Sequence, residues 1–365
     1  MTGSSTLILG FVTAFLVVLL STPSLIKVAK LKHLVDEPKE DRKMHGWSIP
    51  TIGGIVIFGA ILFSYSLWFP EDKYGHLTNI LANFKYVIAC MVVLFFVGVK
   101  DDLIGTAPVK KLIAHGLVGF VLVVMADIRV DNMHGLFGYT LEFNLWQSYL
   151  FSFFVYIVII NSINLIDGLD GLASGIGFIA AVSFGLIFFL SGDIPLALLA
   201  FVLAGALFGF LVFNFYPARI FMGDSGSLLL GVILCVLAVN FINYEGYHSP
   251  YWLQKLNKPV LAMSILVYPL IDTLRVFAIR TIKGKSPLIA DKNHIHHRLT
   301  NLGMNHASAV GILYFFSILI IVLQFFYQLY LGVENDTIIF FLQLGSAFVL
   351  VGFIFLLKKS KNSKK

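Results

Sequence analysis

The chain has 365 residues, of which 58% are hydrophobic and 13% charged, and its net charge is +6. Soluble domains carry roughly 25% charged residues, so this composition excludes an ordinary soluble protein and indicates an integral membrane protein. About 17 to 25 apolar residues cross the hydrocarbon core of a bilayer as a helix. Eleven such stretches are predicted, at residues 6–26, 52–69, 84–100, 111–127, 146–163, 172–191, 195–214, 227–243, 259–280, 309–331 and 337–357.

The expected fold class is therefore all-α, a polytopic membrane helix bundle with about 11 transmembrane helices in one integral-membrane domain, residues 1–365. Lys27, Lys30 and Lys32 follow the first span, and no basic residue precedes it. Basic residues stay on the cytoplasmic side, so we expect the N-terminus outside the plasma membrane. The C-terminus and its basic tail, residues 358–365, are then cytoplasmic, where the tail can rest on anionic headgroups. The positive charge is a topology signal and no nucleic-acid partner is expected.

Polar clusters interrupt the apolar pattern at five places, all on the predicted cytoplasmic side. Acidic residues at the edge of a bilayer are costly, so their placement is informative. In chain order, the clusters are the loop 35–54 with Thr51 near its end, the pair Asp101 and Asp102, the segment 164–175 with Asn164, Asp167 and Asp170, the turn 221–227 with Phe221 and Asp224, and the segment 294–298 with His296, His297 and Arg298. Clusters on one face of a bundle can converge into one polar site.

The chemistry of these clusters suits a phosphate-transfer site. Carboxylates are ligands that Mg²⁺ prefers, and Mg²⁺ commonly takes one or two of them together with phosphate oxygens and water; Mn²⁺ is an alternative metal. Phosphoryl transfer needs positioning and charge neutralisation, which a metal and cationic side chains supply. The Gly-Asp-Ser-Gly-Ser turn leads into a helix, whose first N–H groups can also hold phosphate oxygens.

Each motif alone has a simpler interpretation. An Asp-Asp pair at a helix end is usually a solvated cap, and the glycine-rich segments can be turns or N-caps. The His-Ile-His-His run can bind zinc, but no cysteine supports it and the spacing is poor for a structural zinc site. Carboxylates at a membrane edge also occur in transporters and flippases, although those proteins more often place them near the middle of the bilayer. What favours an enzyme is that all five clusters share one face.

The ordered motifs resemble a known family. VDEPxxxRKxHxxxxPTIGG, the Asp-Asp pair, NSINLIDGLDGLASG, FMGDSGSLLLG and SPLIADKNHIHHRL are similar to motifs of the polyprenyl-phosphate N-acetylhexosamine-1-phosphate transferases, which include WecA, TagO and MraY. The sequences WSIPTIGG and HIHHRL, with Arg42, Lys43 and His45 upstream, favour the WecA/TagO-like branch over the MraY branch.

The resemblance implies a reaction and its partners. A UDP-N-acetylhexosamine, with N-acetylglucosamine as the favoured sugar, would give its sugar 1-phosphate to undecaprenyl phosphate and release UMP, starting the synthesis of a cell-envelope polysaccharide. Direct attack of the lipid phosphate on the β-phosphorus is the favoured route, and a double displacement through an aspartyl phosphate is the alternative. Membrane lipids surround the protein, and a homodimer is left open.

The resemblance also implies roles for individual residues. Asp224 matches the metal-binding carboxylate, and Asp102 lies in the metal environment. Asp101 matches the acid that deprotonates or orients the lipid phosphate, and Lys111 is a loose match to a lysine after this pair.

For the nucleotide, the matching residues are Asn164, Asp167, Asp170 and Phe221, with Thr51 in the neighbouring turn. His296, His297 and Arg298 match the loop that contacts the diphosphate or sugar. Asp272 and Arg275 are three residues apart on a helix, and this spacing predicts an internal ion pair.

Overall fold

A computed structural model describes most of the chain, namely residues 3–32, 34–36, 49–70, 78–244, 250–284, 294–330 and 335–356. Three parts of the sequence interpretation fall outside these residues. They are the first-loop segment 37–48 with Arg42, Lys43 and His45, the start of the histidine motif at 285–293, and the basic tail 358–365.

The described residues form fourteen α-helices and one short pair of strands. The helices are α1 Gly3–Leu31, α2 Gly54–Trp68, α3 Thr78–Ile104, α4 Pro108–Phe120, α5 Leu145–Leu165, α6 Leu172–Leu190, α7 Ile194–Asn214, α8 Gly223–Asn243, α9 Tyr251–Gln254, α10 Lys258–Ile265, α11 Val267–Ile282, α12 Ile295–Asn301, α13 His306–Phe325 and α14 Asp336–Leu356. Strand β1, Val35–Asp36, pairs antiparallel with β2, Ile49–Pro50. Helices suit a bilayer because they satisfy every backbone polar group internally, and the all-helical membrane bundle is confirmed.

The number of membrane spans is supported only in part. Among the described residues, seven helices are long and apolar enough to cross a membrane, namely α1, α5, α6, α7, α8, α13 with the π-helical turn that follows it, and α14. Helices α10 and α11 together make an eighth if the bent pair is one span. The eleven predicted stretches all overlap helices, but α2 has 15 residues and α4 has 13. A total of eleven spans therefore stays a prediction.

The pair α10 and α11 is bent by 82°. Leu266 leaves the helical conformation at φ −99° and ψ 18°, and Pro269 stands in the first turn of α11. Proline lacks the N–H that would bond back into α10, so it is tolerated only where a helix begins. Because of this bend, α11, which carries Asp272, runs in a different direction from α10.

Helix α8 forms the centre of the bundle, packed between α3 and α5. Glycines bring the backbones together: a Cβ on Gly98 of α3 would lie 2.4 Å from the Cα of Ser225, and one on Gly231 of α8 would lie 3.0 Å from the Cα of Ile160. Only glycine permits such approaches. The close packing at Gly98 places the end of α3, with Asp101 and Asp102, beside the N-terminus of α8.

Candidate active site

The N-terminus of α8 is the point where three motifs meet. Asp102 of α3 accepts both the N–H of Asp224, at 2.7 Å from Oδ1, and the N–H of Ser225, at 3.0 Å from Oδ2. The N–H of Gly223 donates to Asp167. These N–H groups lack partners within the helix and attract negative charge, and carboxylates from two other segments satisfy them. In this structure the N–H groups of Gly223, Asp224 and Ser225 therefore have protein carboxylates as their partners, and phosphate binding at this helix terminus stays a prediction.

The Pro-Thr-Ile-Gly-Gly turn pairs with the segment that leads into α8. Phe221 donates its N–H to the carbonyl of Pro50 at 2.8 Å, and its own carbonyl accepts the N–H of Gly53 at 3.0 Å. Gly223 has φ +72°, and a Cβ there would lie 2.1 Å from the carbonyl oxygen of Thr51. Glycine is required at such a left-handed, crowded position. The predicted residues Thr51 and Phe221, both half-buried, thus stand against the start of α8.

Lys111 of α4 joins two of the aspartates. Its Nζ lies 2.8 Å from Oδ2 of Asp101 and also contacts the carboxylate of Asp224. Asn164 donates from Nδ2 to Oδ1 of Asp224 at 3.1 Å and to Oγ of Ser227 at 2.8 Å. Lys111 was only a loose match in the sequence, yet it is the cation that contacts the acidic residues here.

We name Asp101, Asp102, Asp167 and Asp224 the carboxylate cluster. Burial, and then the charges of Asp224 and Asp102, raise the pKa of Asp167 to about 8, while the N–H of Gly223 opposes this shift. The turn that carries Asp167, residues 166–171, lies between helices and outside the spans. A carboxyl group that resists ionisation because it is buried and like charges lie nearby gains a favourable partner in any added cation.

The histidine segment is fixed by one fully buried carboxylate, Asp272 of α11. Its Oδ2 lies 2.9 Å from Nδ1 of His294, and its Oδ1 accepts the N–H of Ile295 at 2.9 Å. Arg275 approaches Oδ1 at 3.4 Å, which confirms the predicted internal pair. Ionised groups are rarely buried without such partners, so Asp272 anchors the start of α12.

Of the two predicted histidines of α12, His296 lies beside the Asp167 turn and His297 packs against His296. His296 is 1% exposed, and a Cβ on Gly168 would lie 2.7 Å from its Nε2. Burial lowers the pKa of His296 to about 3, against the opposing charge of Asp272, so this ring is neutral at pH 7. His297 is half-buried, with its ring centre 4.3 Å from that of His296. Of the two, His297 is better placed to meet a substrate.

Arg298 and Asp170 have clear structural contacts. Arg298 donates from Nη2 to the carbonyl of Phe355 at 3.3 Å, near the C-terminus of α14, where helix carbonyls attract cations. Asp170 is 1% exposed; it accepts the N–H of Ala218 at 3.0 Å and lies 3.1 Å from Nδ1 of His306. The structure thus brings Asp170 near the site but within the protein interior. His306 belongs to none of the five motifs, and no pattern in the sequence pointed to it.

A divalent metal fits the donor chemistry of the carboxylate cluster only with help from a substrate. Among the described residues, no three His, Cys, Asp or Glu side chains are grouped to hold a metal ion by themselves. Mg²⁺ needs only one or two carboxylates when phosphate oxygens and water complete its shell. Asp224 offers a half-buried carboxylate, whereas both oxygens of Asp102 already accept N–H groups.

Comparison with known proteins identifies the family. A family model described as Glycosyl transferase family 4 matches residues 84–242. The chain is 32% identical over 333 residues to a probable undecaprenyl-phosphate N-acetylglucosaminyl 1-phosphate transferase of Bacillus subtilis, covering 87% of this chain and 85% of that protein. The chain belongs to glycosyl transferase family 4. The predicted resemblance to polyprenyl-phosphate N-acetylhexosamine-1-phosphate transferases is thereby confirmed.

Other relatives of this family 4 protein have similar names and match most of its length. It is 32% identical over 295 residues to a decaprenyl-phosphate N-acetylglucosaminephosphotransferase of Mycolicibacterium smegmatis, covering 76% of this chain and 71% of the relative. It is 28% identical over 288 residues to an undecaprenyl-phosphate alpha-N-acetylglucosaminyl 1-phosphate transferase of Escherichia coli K12, covering 78% of this chain and 73% of the relative. The matched family region runs from α3 to α8 and so includes the whole carboxylate cluster and Lys111.

Proposed function

We propose that this protein transfers N-acetylglucosamine 1-phosphate from UDP-N-acetylglucosamine to undecaprenyl phosphate and releases UMP. The observation that carries the proposal is the meeting of Lys111, Asp101 and Asp224 at the N-terminus of α8. An ammonium group among carboxylates suits a site that must hold phosphates and a divalent cation together. The names of the relatives from B. subtilis and E. coli support the same sugar and the same lipid.

The first step concerns the lipid phosphate. Lys111 binds a phosphate oxygen of undecaprenyl phosphate, and Asp101, 2.8 Å from the Lys111 ammonium, orients this phosphate and accepts its remaining proton. The phosphate oxygen attacks the β-phosphorus of the UDP-sugar, and the bond from that phosphorus to the bridging oxygen breaks. UMP leaves with the electron pair of that bond. A phosphorylated aspartate trapped after incubation with the UDP-sugar alone would contradict this direct route.

A divalent metal would be held by Asp224, with Asp102 beside it. When bound, Mg²⁺, or Mn²⁺ in its place, neutralises the diphosphate and the charge that develops on the leaving UMP. Asn164 keeps the Asp224 carboxylate in place through its 3.1 Å hydrogen bond. Asp102 keeps the first turn of α8 in place by accepting two of its N–H groups. Asp102 thus positions Asp224, whether or not Asp102 itself contacts the metal.

The nucleotide would occupy the space beside the 166–171 turn and the Phe221 segment. Asn164, Asp167, Phe221 and Thr51 all lie around the N-terminus of α8, and each residue is only half-buried, which supports a role for this group in binding a ligand. His297 packs against His296, which lies next to Gly168 of the same turn. We assign uracil and ribose to the first group and the diphosphate or sugar to His297.

We further propose eleven spans with the N-terminus outside the plasma membrane and the active site facing the cytoplasm. The test uses Leu103→Cys near the carboxylate cluster and Asn301→Cys at the end of α12, both exposed positions, in a variant without Cys90 and Cys235. Membrane-impermeant maleimide should label both cysteines from the cytoplasmic side of oriented vesicles. Labelling of the two positions from opposite sides would contradict the proposal.

The activity is tested with purified protein, undecaprenyl phosphate and a panel of UDP-sugars, with Mg²⁺, with Mn²⁺ or with EDTA. We expect UMP release with UDP-N-acetylglucosamine in the presence of either metal and its loss with EDTA. UDP-N-acetylgalactosamine and UDP-glucose test the choice of sugar. If no UDP-sugar yields UMP, the enzyme proposal is wrong, and transport of a lipid or ion becomes the hypothesis to pursue.

A further inference from the structure

Asp170 is a buried carboxylate whose two oxygens face different parts of the chain. Oδ2 accepts the N–H of Ala218 at 3.0 Å, and Oδ1 lies 3.1 Å from Nδ1 of His306. Asp170 is 1% exposed and His306 is 7% exposed. An ionised carboxylate is expensive to bury unless it is paired and hydrogen-bonded. These contacts therefore do more than fill space, because they give each buried oxygen of Asp170 a polar neighbour.

The contacts of Asp170 join three segments that carry site residues. The 166–171 turn itself holds Asp167. Ala218 belongs to the connection 215–222, which leads directly to Asp224 at the start of α8. His306 is the first residue of α13, which follows α12 and its histidines. One carboxylate thus holds the turn, the entry to α8 and the start of α13 together.

Helix α13 supports the same turn at a second point. The hydroxyl of Tyr314 donates to the carbonyl of Gly171, and a Cβ on Gly175 would lie 1.8 Å from that hydroxyl oxygen. On the other side of the turn, Gly168 lies against His296. The turn is therefore held between α12 and α13, and a change at His306 removes the contact that α13 makes with Asp170.

We propose that His306 is a positioning residue for the proposed transfer reaction, acting through Asp170 to hold the Asp167 turn, and that Asp170 ties these segments together instead of contacting the nucleotide. His306 touches neither substrate; its effect on the reaction is indirect. The kinetic part of this inference rests on the proposed function, whereas the structural part does not.

Replacement of His306 should loosen the turn without unfolding the bundle. Asp170 would lose one partner and shift toward water, and Asp167 and the Ala218 segment would follow. Small errors in the placement of binding groups are costly in rate. Because the turn belongs to the nucleotide side of the site, we expect kcat/KM for UDP-N-acetylglucosamine to fall at least tenfold, while KM for undecaprenyl phosphate stays within threefold.

The choice of substitutions separates a positioning role from general packing. The amide nitrogen of asparagine is attached to Cγ, as Nδ1 of histidine is, whereas that of glutamine is one carbon further out. His306→Asn should therefore keep the contact to Asp170, and His306→Gln and His306→Ala should lose it. Ser317→Ala is the matched control: among the described residues, this buried α13 hydroxyl donates within its own helix, to the carbonyl of Leu313 at 3.0 Å.

The experiment measures hydrogen–deuterium exchange of the full-length protein in detergent micelles, together with the kinetics of UMP release. In His306→Ala and His306→Gln, amides of the 166–171 turn and of residues 215–219 should exchange at least tenfold faster than in wild type. In His306→Asn and Ser317→Ala, exchange of these amides should stay within threefold of wild type. The values of kcat/KM for the four variants should rank in the same order, with His306→Ala and His306→Gln reduced most.

Three results would overturn the inference. They are exchange in His306→Ala within twofold of wild type in both segments, equal behaviour of the Asn and Gln variants, and an increase in exchange spread equally over α8 and the other helices. If wild type releases no UMP, the proposed function fails, and the exchange measurements still decide whether His306 and Asp170 hold the turn.

Discussion

Lys111 gives the sharpest prediction, because its ammonium is the cation that joins Asp101 and Asp224. Lys111→Met keeps the apolar stem and removes the charge. Loss of one group that stabilises developing charge in a partly buried site costs about 2.7–4 kcal/mol, which corresponds to a fall of roughly 10²–10³-fold in kcat. The two carboxylates would also be left facing each other without a cation, so we place the loss at the upper part of this range.

The assay is the initial rate of UMP release at saturating UDP-N-acetylglucosamine and undecaprenyl phosphate. Lys110→Met is the matched control, because Lys110 is the preceding residue and its side chain is exposed; this variant should keep the wild-type rate within about twofold. A rate for Lys111→Met within about threefold of wild type, under roughly 0.7 kcal/mol, would refute the role assigned to the ammonium.

Three further predictions concern the same end of the bundle. Asp102→Ala removes the acceptor of two N–H groups of α8 and should lower the free energy of unfolding by about 1–2 kcal/mol, with Asp102→Asn losing less; equal melting temperatures for wild type and both variants would contradict this. Gly98→Ala should lower the free energy of unfolding by about 1–3 kcal/mol, because its Cβ would meet the backbone of Ser225 at 2.4 Å. Gly345→Ala is the control: nothing lies within 4 Å of the new Cβ, so this variant should have the melting temperature of wild type. Since the pKa of Asp167 is raised to about 8, the metal-free protein holds a proton there at pH 7, and the affinity for Mg²⁺ should rise with pH through about 8 with release of that proton. Calorimetry in two buffers of different ionisation enthalpy measures both effects, and a pH-independent affinity without proton release would show that Asp167 is not linked to the metal.

The sequence predicted the membrane bundle and the approach of several acidic motifs to one another, because both depend on strong local signals. Apolar stretches of about 20 residues are unambiguous in a chain with few charges, and acidic pairs beside them are costly enough to be informative. The convergence of Asp102, Asp167 and Asp224 at the start of α8 agrees with that expectation. The reason for the convergence, a backbone contact at Gly98, depends on helix packing and could not be predicted from one sequence.

The contacts that the sequence could not predict are those between distant segments. Asp170 lies within a motif and Asp272 outside the five clusters, yet both are buried and hold other parts of the chain. Arg298 is next to the histidines in sequence, but it contacts the end of α14. Motif membership indicates which residues lie near a site, whereas the direction of each side chain depends on neighbours far away in the chain. His306 gives no sequence signal because its partner is 136 residues away.

Asp224→Asn is the most direct test of the role of the carboxylate cluster in phosphate transfer. The measurement is UMP release by purified protein with undecaprenyl phosphate, UDP-N-acetylglucosamine and Mg²⁺. Asp193→Asn is the control, because it makes the same Asp-to-Asn substitution at the N-cap of α7. We expect a loss of roughly 10²–10³-fold in kcat for Asp224→Asn and a rate near wild type for Asp193→Asn. A rate for Asp224→Asn within about threefold of wild type would mean that the reaction takes place elsewhere.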